Sequence, residues 1–269
     1  MDRRAFIVAA IGAIGVGLAS CAAAPRLRVD AGATPALKAT LEPLPVATPQ
    51  PLLLPFDESL PKYPLPTGPV TALPTTSNLM AWTVDDGWGE EVVQKYAAFA
   101  NDFGARLTFF ICAGAPGWTS SASVLRPLVE AGQVQIANHT YSHPKLTSLS
   151  DSEIQADLMR NHDLIKEIYG VDARPFYRPP FGYRDERTDK AAAAIGYTVP
   201  VLWHGSLSDS GEITTQQVLD FADKWFLPEH IVIGHANYPA VTEVFPELVN
   251  MLNQRKLVTV TLNDVFKSV

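Results

Sequence analysis

Four short polar clusters hold residue types that can do chemistry: Thr83-Val84-Asp85-Asp86-Gly87, His139-Thr140-Tyr141-Ser142-His143, Arg178-Pro179-Pro180-Phe181-Gly182 and Ile233-Gly234-His235. Adjacent carboxylates repel. Asp85 and Asp86 therefore either solvate a turn before glycine or share a cation or a proton. His139 and His143 stand four positions apart, a spacing that lets two imidazoles reach one ion. Joined to Asp86 they make a two-histidine, one-carboxylate set that leaves coordination positions open, which is the arrangement of a catalytic site. In the third cluster two prolines fix an extended turn, and Phe181 keeps a backbone N–H able to face developing negative charge. His235 follows an apolar run and can donate a proton. Taken singly, each cluster also has a plain structural reading as a turn, an exposed histidine or a rigid loop.

The clusters gain meaning from the elements that must position them. From Asn78 onward, short apolar runs alternate with amphipathic stretches, the pattern of an α/β domain. Strands are predicted at Leu79 to Val84, Leu107 to Cys112, Gln133 to Ala137, Phe176 to Arg178, Tyr197 to Trp203, Ile231 to Ile233 and Leu257 to Leu262. Helices are predicted at Glu90 to Asn101, Val124 to Ala131, Ser150 to Tyr169, Thr188 to Ala194, Thr215 to Phe226 and Thr242 to Asn253. The third is the clearest, because Ser150 and Glu153 form a capping box and Gly170 ends it. About seven βα units predict a distorted (β/α)7-type barrel of parallel strands, with an open doubly wound sheet as the other topology that gives this alternation. Each polar cluster follows a predicted strand, where ligand sites of such folds gather.

The rest of the chain bounds location and partners. Arg3 and Arg4 precede an apolar run, Phe6 to Ala19, that is too short to span a membrane comfortably and reads as an export signal; the arginine pair before Phe6 resembles the twin-arginine pattern, one of two export routes left open. Leu18-Ala19-Ser20-Cys21 resembles a bacterial lipobox, so residues 1–21 are read as a lipoprotein signal peptide, with Cys21 lipidated and the protein held on the outer face of the membrane. Residues 22–75 are rich in Pro and Ala and read as a tether, leaving 76–269 as the domain. With Cys21 acylated, Cys112 has no partner for a disulfide and reads as a small buried residue. The net charge of -7, with no long basic run, argues against nucleic acid as a partner. The Gly-x-x-Gly-x-Gly of residues 12–17 lies inside the signal and is no dinucleotide loop.

The order of the motifs resembles the polysaccharide deacetylase family, also known as the NodB-homology family or carbohydrate esterase family 4, over about Asn78 to Phe266. The resemblance implies that Asp85 is the base, that Asp86, His139 and His143 hold a divalent ion, and that Arg178 orients the base. It implies that Pro180 and Phe181 line the oxyanion and substrate site, and that His235 is the general acid. Zinc is the ion the family leads one to expect, although such ligands also accept cobalt, nickel or iron. One motif departs. Where the family carries Asp-x-x-Asp-Trp beyond a strand tryptophan, here Trp203 is followed by Ser206, Asp209 and Ser210, so only the second aspartate, which tunes the acid, is kept. Trp203, with Trp88, Tyr141 and Tyr183, is a candidate groove aromatic, and His204 has no assigned role. The expected function is removal of acetyl groups, N-acetyl foremost, from a cell-envelope glycan such as peptidoglycan, by a monomer. Two other classes share part of the pattern: a non-haem iron oxygenase, whose usual scaffold and motif order differ, and a carbohydrate-binding lipoprotein that has lost activity.

Overall fold

The computed structural model describes residues 52–267. The signal segment, Cys21 and the earlier part of the expected tether lie outside the described residues. In chain order the main elements are β1 (Leu79–Asp86), α1 (Glu90–Phe103), β2 (Leu107–Ile111), α2 (Pro116–Ser120), α3 (Ala122–Glu130), β3 (Val134–Asn138) and α4 (Asp151–Tyr169). They continue with β4 (Phe176–Tyr177), α5 (Glu186–Ala193), β5 (Val199–Pro200), β6 (Gly205–Ser206), α6 (Thr215–Trp225), β7 (Ile231–His235), α7 (Phe245–Gln254), β8 (Val258–Thr259) and α8 (Leu262–Val265).

Seven strands pair in parallel in the order β5-β4-β3-β2-β1-β7-β6, and β8 joins the start of β1. The result is a curled half-barrel, the distorted (β/α) barrel that the alternation implies. Every residue of β1 is buried, which accounts for an apolar run with no polar alternation: a central parallel strand has two covered faces. One face sends Leu79 and Ala81 into an inner core with Phe110, Ala137, Phe176, Val199 and Ile231. The other sends Met80, Trp82 and Val84 under the helices, where the Trp82 ring packs against Tyr96, Phe99, Phe226 and Phe245. The inward set of β1 continues through Thr83 to Asp85, so the pleat that fills the barrel also aims Asp85 into its mouth.

Several element boundaries depart from the sequence reading. The predicted strand Tyr197 to Trp203 forms strand over Val199 and Pro200 alone; past it the Pro200 carbonyl accepts the Val70 N–H and the Leu202 N–H donates to the Val70 carbonyl, so that Val201 bridges Val70. The final predicted strand splits into β8 and the short helix α8, because Thr261 caps a new helix by accepting the Asp264 N–H. The predicted helix from Thr242 becomes a 3-10 turn, Pro239–Glu243, followed by α7. β6 and α2 have no counterpart in the sequence reading.

Residues 52–75, assigned by composition to the tether, pack on the domain. Leu53, Val70 and Leu73 are buried, Tyr63 pairs with Phe266, and the stretch around Val70 and Ala72 bridges Val201 beyond β5 and His230 ahead of β7. Proline prevents helix here without preventing an extended strap from burying side chains. Among the described residues, no helix is long and apolar enough to cross a membrane.

Candidate active site

The four clusters meet at the carboxyl ends of β1, β3, β4 and β7, around a cleft of about 510 Å³ lined by Asp85, Asp86, His139, His143, Phe181 and His235 among others. Backbone at this mouth is unusual: Asp86 (φ 72), Thr140 (φ 68), His143 (φ 54) and Phe181 (φ 59) all adopt left-handed conformations. Non-glycine residues hold such angles only where surrounding contacts over-determine them; here Asp86, His143 and Phe181 line one cleft, and Thr140 accepts the His143 N–H behind it.

Asp86, His139 and His143 each offer a ligand atom within 4.8 Å of the others. Both imidazole Nε2 atoms lie 3.4 Å from Asp86 Oδ1. That oxygen is buried and has no hydrogen-bond partner, a costly state for a carboxylate oxygen that a cation would relieve. His139 Nδ1 is 2.8 Å from the Arg178 carbonyl, so it carries the proton and leaves Nε2 free to ligate. The donor set and the orphaned oxygen fit a divalent ion. Burial opposes the Asp86 charge, yet His139, His235 and His143 hold its carboxyl well below the usual range. His143 is lowered, by its burial and by His139.

Asp85 faces the same space, with Oδ2 3.4 Å from His139 Nε2. Its Oδ1 accepts from Arg178 Nη1 at 2.5 Å. Arg178 is fully buried and spends three more of its five N–H groups on Thr83 Oγ1 (2.9 Å), the Val201 carbonyl (3.1 Å) and the Leu202 carbonyl (3.2 Å), while its guanidinium lies 4.1 Å from the centre of the Phe110 ring. A planar fork so fully occupied cannot swing away, so Asp85 is held with one oxygen anchored and the other turned to the cleft.

Beside Asp85, in register with it on the neighbouring strand β7, stands His235. Its Nδ1 is 3.0 Å from Asp209 Oδ1, and its backbone N–H donates to Asp209 Oδ2 at 3.1 Å. Burial works against charging this ring, but the Asp209 carboxylate, with Asp85 and Asp86 behind it, raises its pKa above the ordinary value. Nε2 is left for the cleft. Counting from Trp203 thus places Asp209 against His235, and the two serines at the departed motif positions, Ser206 and Ser210, line the cleft with Trp203.

Not every expected residue sits where its role requires. Pro180 is buried, and Pro179 lines the cleft in its place. Phe181 projects a 60% exposed ring whose edge meets His143 at 4.6 Å between centroids. It lies in the first turn of the 3-10 segment Pro180–Gly182, where an N–H has no acceptor within the turn. Tyr141 lies under Arg160 and outside the cleft lining, whereas Trp88 and Tyr183 are exposed by half. His204 is exposed and stacks on His230, away from the cleft. Cys112 is buried, and burial with Asp86 and Asp85 nearby pushes its thiol pKa up.

Other residues build the site without having been singled out by sequence. Asp157 on α4 accepts the Tyr141 N–H (2.7 Å) and the Ser142 N–H (3.2 Å), fixing the histidine loop. Asn161, one turn on, takes the Ala113 N–H and donates to Asn138 Oδ1, which itself accepts the Thr140 N–H. A polar residue inside the apolar stripe of Ile154, Leu158 and Ile165 is the one signal that could have revealed it. Trp118 donates its indole N–H to the Asp86 carbonyl, and Asn237 donates to Asp86 Oδ2 at 2.7 Å.

Residues 72–200 match the polysaccharide deacetylase family model. With the solved structures of like fold, the match supports a polysaccharide deacetylase domain. Chitin deacetylase 1 of Cryptococcus neoformans is 33% identical over 113 residues, 42% of this chain and 23% of that protein. The peptidoglycan-N-acetylglucosamine deacetylase of Bacillus cereus is 26% identical over 177 residues, 63% of this chain and 62% of that one. The chain thus spans less than two thirds of the length of either relative. A solved peptidoglycan N-acetylglucosamine deacetylase superposes with a TM-score of 0.67 at 20% identity, over 76% of this chain and 94% of that one. A Bacillus anthracis protein described as a family 4 carbohydrate esterase pseudoenzyme superposes with a TM-score of 0.64 at 19% identity, over 75% of this chain and 71% of its own. At these identities both structures speak for the polysaccharide deacetylase fold alone.

Proposed function

We propose that this protein is an exported, lipid-anchored hydrolase that removes acetyl groups, N-acetyl foremost, from a cell-envelope glycan such as peptidoglycan. The observation that carries the reading is the convergence on a single cleft of Asp85, the orphaned Asp86 oxygen and the Asp209-held His235. The relatives named as chitin and peptidoglycan deacetylases support the same class. Anchoring through Cys21 would keep the domain beside its polymer.

Asp86, His139 and His143 would hold a divalent ion, zinc by the habit of the family. Bound there, the ion would polarise the acetyl carbonyl and make water more acidic. The remaining steps belong to the chain's own residues. Asp85, pinned by Arg178, takes the proton of the attacking water. The Phe181 N–H stabilises the resulting oxyanion, an effect typically of a few kcal/mol. His235, charged through Asp209, gives its proton to the departing sugar amine as the C–N bond breaks, leaving acetate and a free amine.

An amine leaves far less readily than an alkoxide, so the acid matters most for an amide. His235→Ala is expected to slow acetate release from N-acetylated glycan by about 10²–10⁴-fold and from an O-acetyl ester much less. Equal slowing of both would sink the acid assignment. The binding-protein reading draws on Ser206 and Ser210 replacing an aspartate and a tryptophan of the family motif. Metal binding without acetate release from any acetylated envelope glycan would favour it.

A further inference from the structure

The two oxygens of Asp86 are treated differently: Oδ1 is buried without a partner between the two histidines, while Oδ2 accepts from Asn237 Nδ2 at 2.7 Å. The orientation of this carboxamide is not arbitrary. The Trp88 backbone N–H lies 3.3 Å from Asn237 Oδ1 and can only donate, so the other end, the NH₂, must face Asp86. Asn237 therefore spans the turn that leaves β1, holding the metal-ligand carboxylate with one arm and the residue two positions on with the other.

We propose that Asn237 is a positioning residue that makes Asp86 a one-oxygen ligand, by occupying Oδ2 and leaving Oδ1 as the atom presented to the ion. The inference rests on the metal site proposed above. A carboxylate with both oxygens free can rotate, bind through both or bond elsewhere. Here the Asp86 backbone is already fixed in a left-handed conformation, with Trp118 bonded to its carbonyl, so the side-chain torsion is the freedom that remains, and Asn237 removes it. Partners of this kind, one bond removed from an ion, commonly alter metal affinity about 10- to 100-fold when lost.

The loop carrying Asn237 is anchored independently of its side chain. The Gly89 N–H donates to the Ala236 carbonyl at 3.0 Å, and an added Cβ at Gly89 would come within 2.7 Å of the Asn237 carbonyl oxygen. Changing the side chain thus removes the clamp while the close backbone contact stays.

The test is zinc titration of the metal-stripped full chain against a competing chromophoric chelator, for the wild type, Asn237→Leu and Asn237→Gln. Leucine keeps similar bulk without a donor, and glutamine keeps the carboxamide. The expected result is an affinity about 10- to 100-fold weaker for the leucine variant and largely recovered by glutamine. Unchanged melting temperatures of the metal-free proteins would show that the effect is local. Cobalt in place of zinc gives a second reading, since its visible spectrum follows coordination number and is expected to change in the leucine variant. Wild-type affinity in Asn237→Leu, with an unchanged cobalt spectrum, overturns the inference and leaves the metal site standing. Absence of binding by the wild type overturns the site itself.

Discussion

Two ion pairs meet at the cleft from neighbouring strands, and under the proposed mechanism they serve opposite ends. Arg178 and Asp85 are both dry, and a guanidinium with four of its five N–H groups engaged holds the carboxylate in place. Removing one member strands the other's charge, so Arg178→Met is expected to lose about 3–5 kcal/mol of folding stability in denaturant titration as well as activity. Asp209 and His235 form the pair that releases a proton in the proposed mechanism. The sign of its pH effect follows from the raised His235 pKa. An acid works while protonated, so the rate falls as pH climbs through that pKa. Asp209→Asn removes the leading cause of the raise, and the basic limb of the pH–rate profile is expected to move to lower pH with the acidic limb unmoved. A limb that stays in place would mean that another group donates the proton. Gly234 belongs to the same pair: a methyl there would meet Asp209 Oδ2 at 3.4 Å and both Leu207 and Tyr96 Oη at 3.3 Å.

At the scale of elements, the strap over residues 52–75 is the part whose contribution composition conceals. Val70 and Leu73 sit in the inner core, so Leu73→Ala is expected to cost about 2–5 kcal/mol by the cavity it leaves. Leu52→Ala, at a position 66% exposed, is expected to stay within about 0.5 kcal/mol, and urea titration of the two variants checks the contrast. The proline pattern marks this segment as non-helical and is silent on packing, because the strap buries only scattered side chains, Leu53, Val70 and Leu73 among them, at no regular spacing. Elements with local signals were legible: Ser150 with Glu153 and Gly170 define α4 almost to the residue, and Gly104 ends α1 in a left-handed cap. β6, two residues paired only with β7, owes its existence to its neighbour and leaves no run to read. The site divides the same way. Asp85, Asp86, His139, His143, Arg178 and His235 were legible as compact clusters after strands, and Asp209 by counting from Trp203. Asp157, Asn161, Trp118 and Asn237 act through single hydrogen bonds made only after folding, and a lone asparagine or tryptophan carries no such message in sequence.

For the whole molecule, the cleft joins folding to ligand binding. Asp86 and the two histidines come from β1 and from the loop after β3, so the set converges only in the folded chain. An ion bound there stabilises the native state by mass action, about 2.7 kcal/mol when free ion is a hundredfold above its dissociation constant. For a domain of this size that corresponds to a rise of about 5–10 °C in melting temperature. Zinc added to metal-stripped protein is therefore expected to raise the calorimetric transition by that amount, with a chelator reversing it. His143→Ala makes the argument specific. Its ring is half-buried at the cleft and caps no core element, so the metal-free transition is expected to hold while the zinc-dependent rise disappears. A rise that survives in His143→Ala would place the stabilising ion elsewhere on the chain and detach the orphaned Asp86 oxygen from any metal.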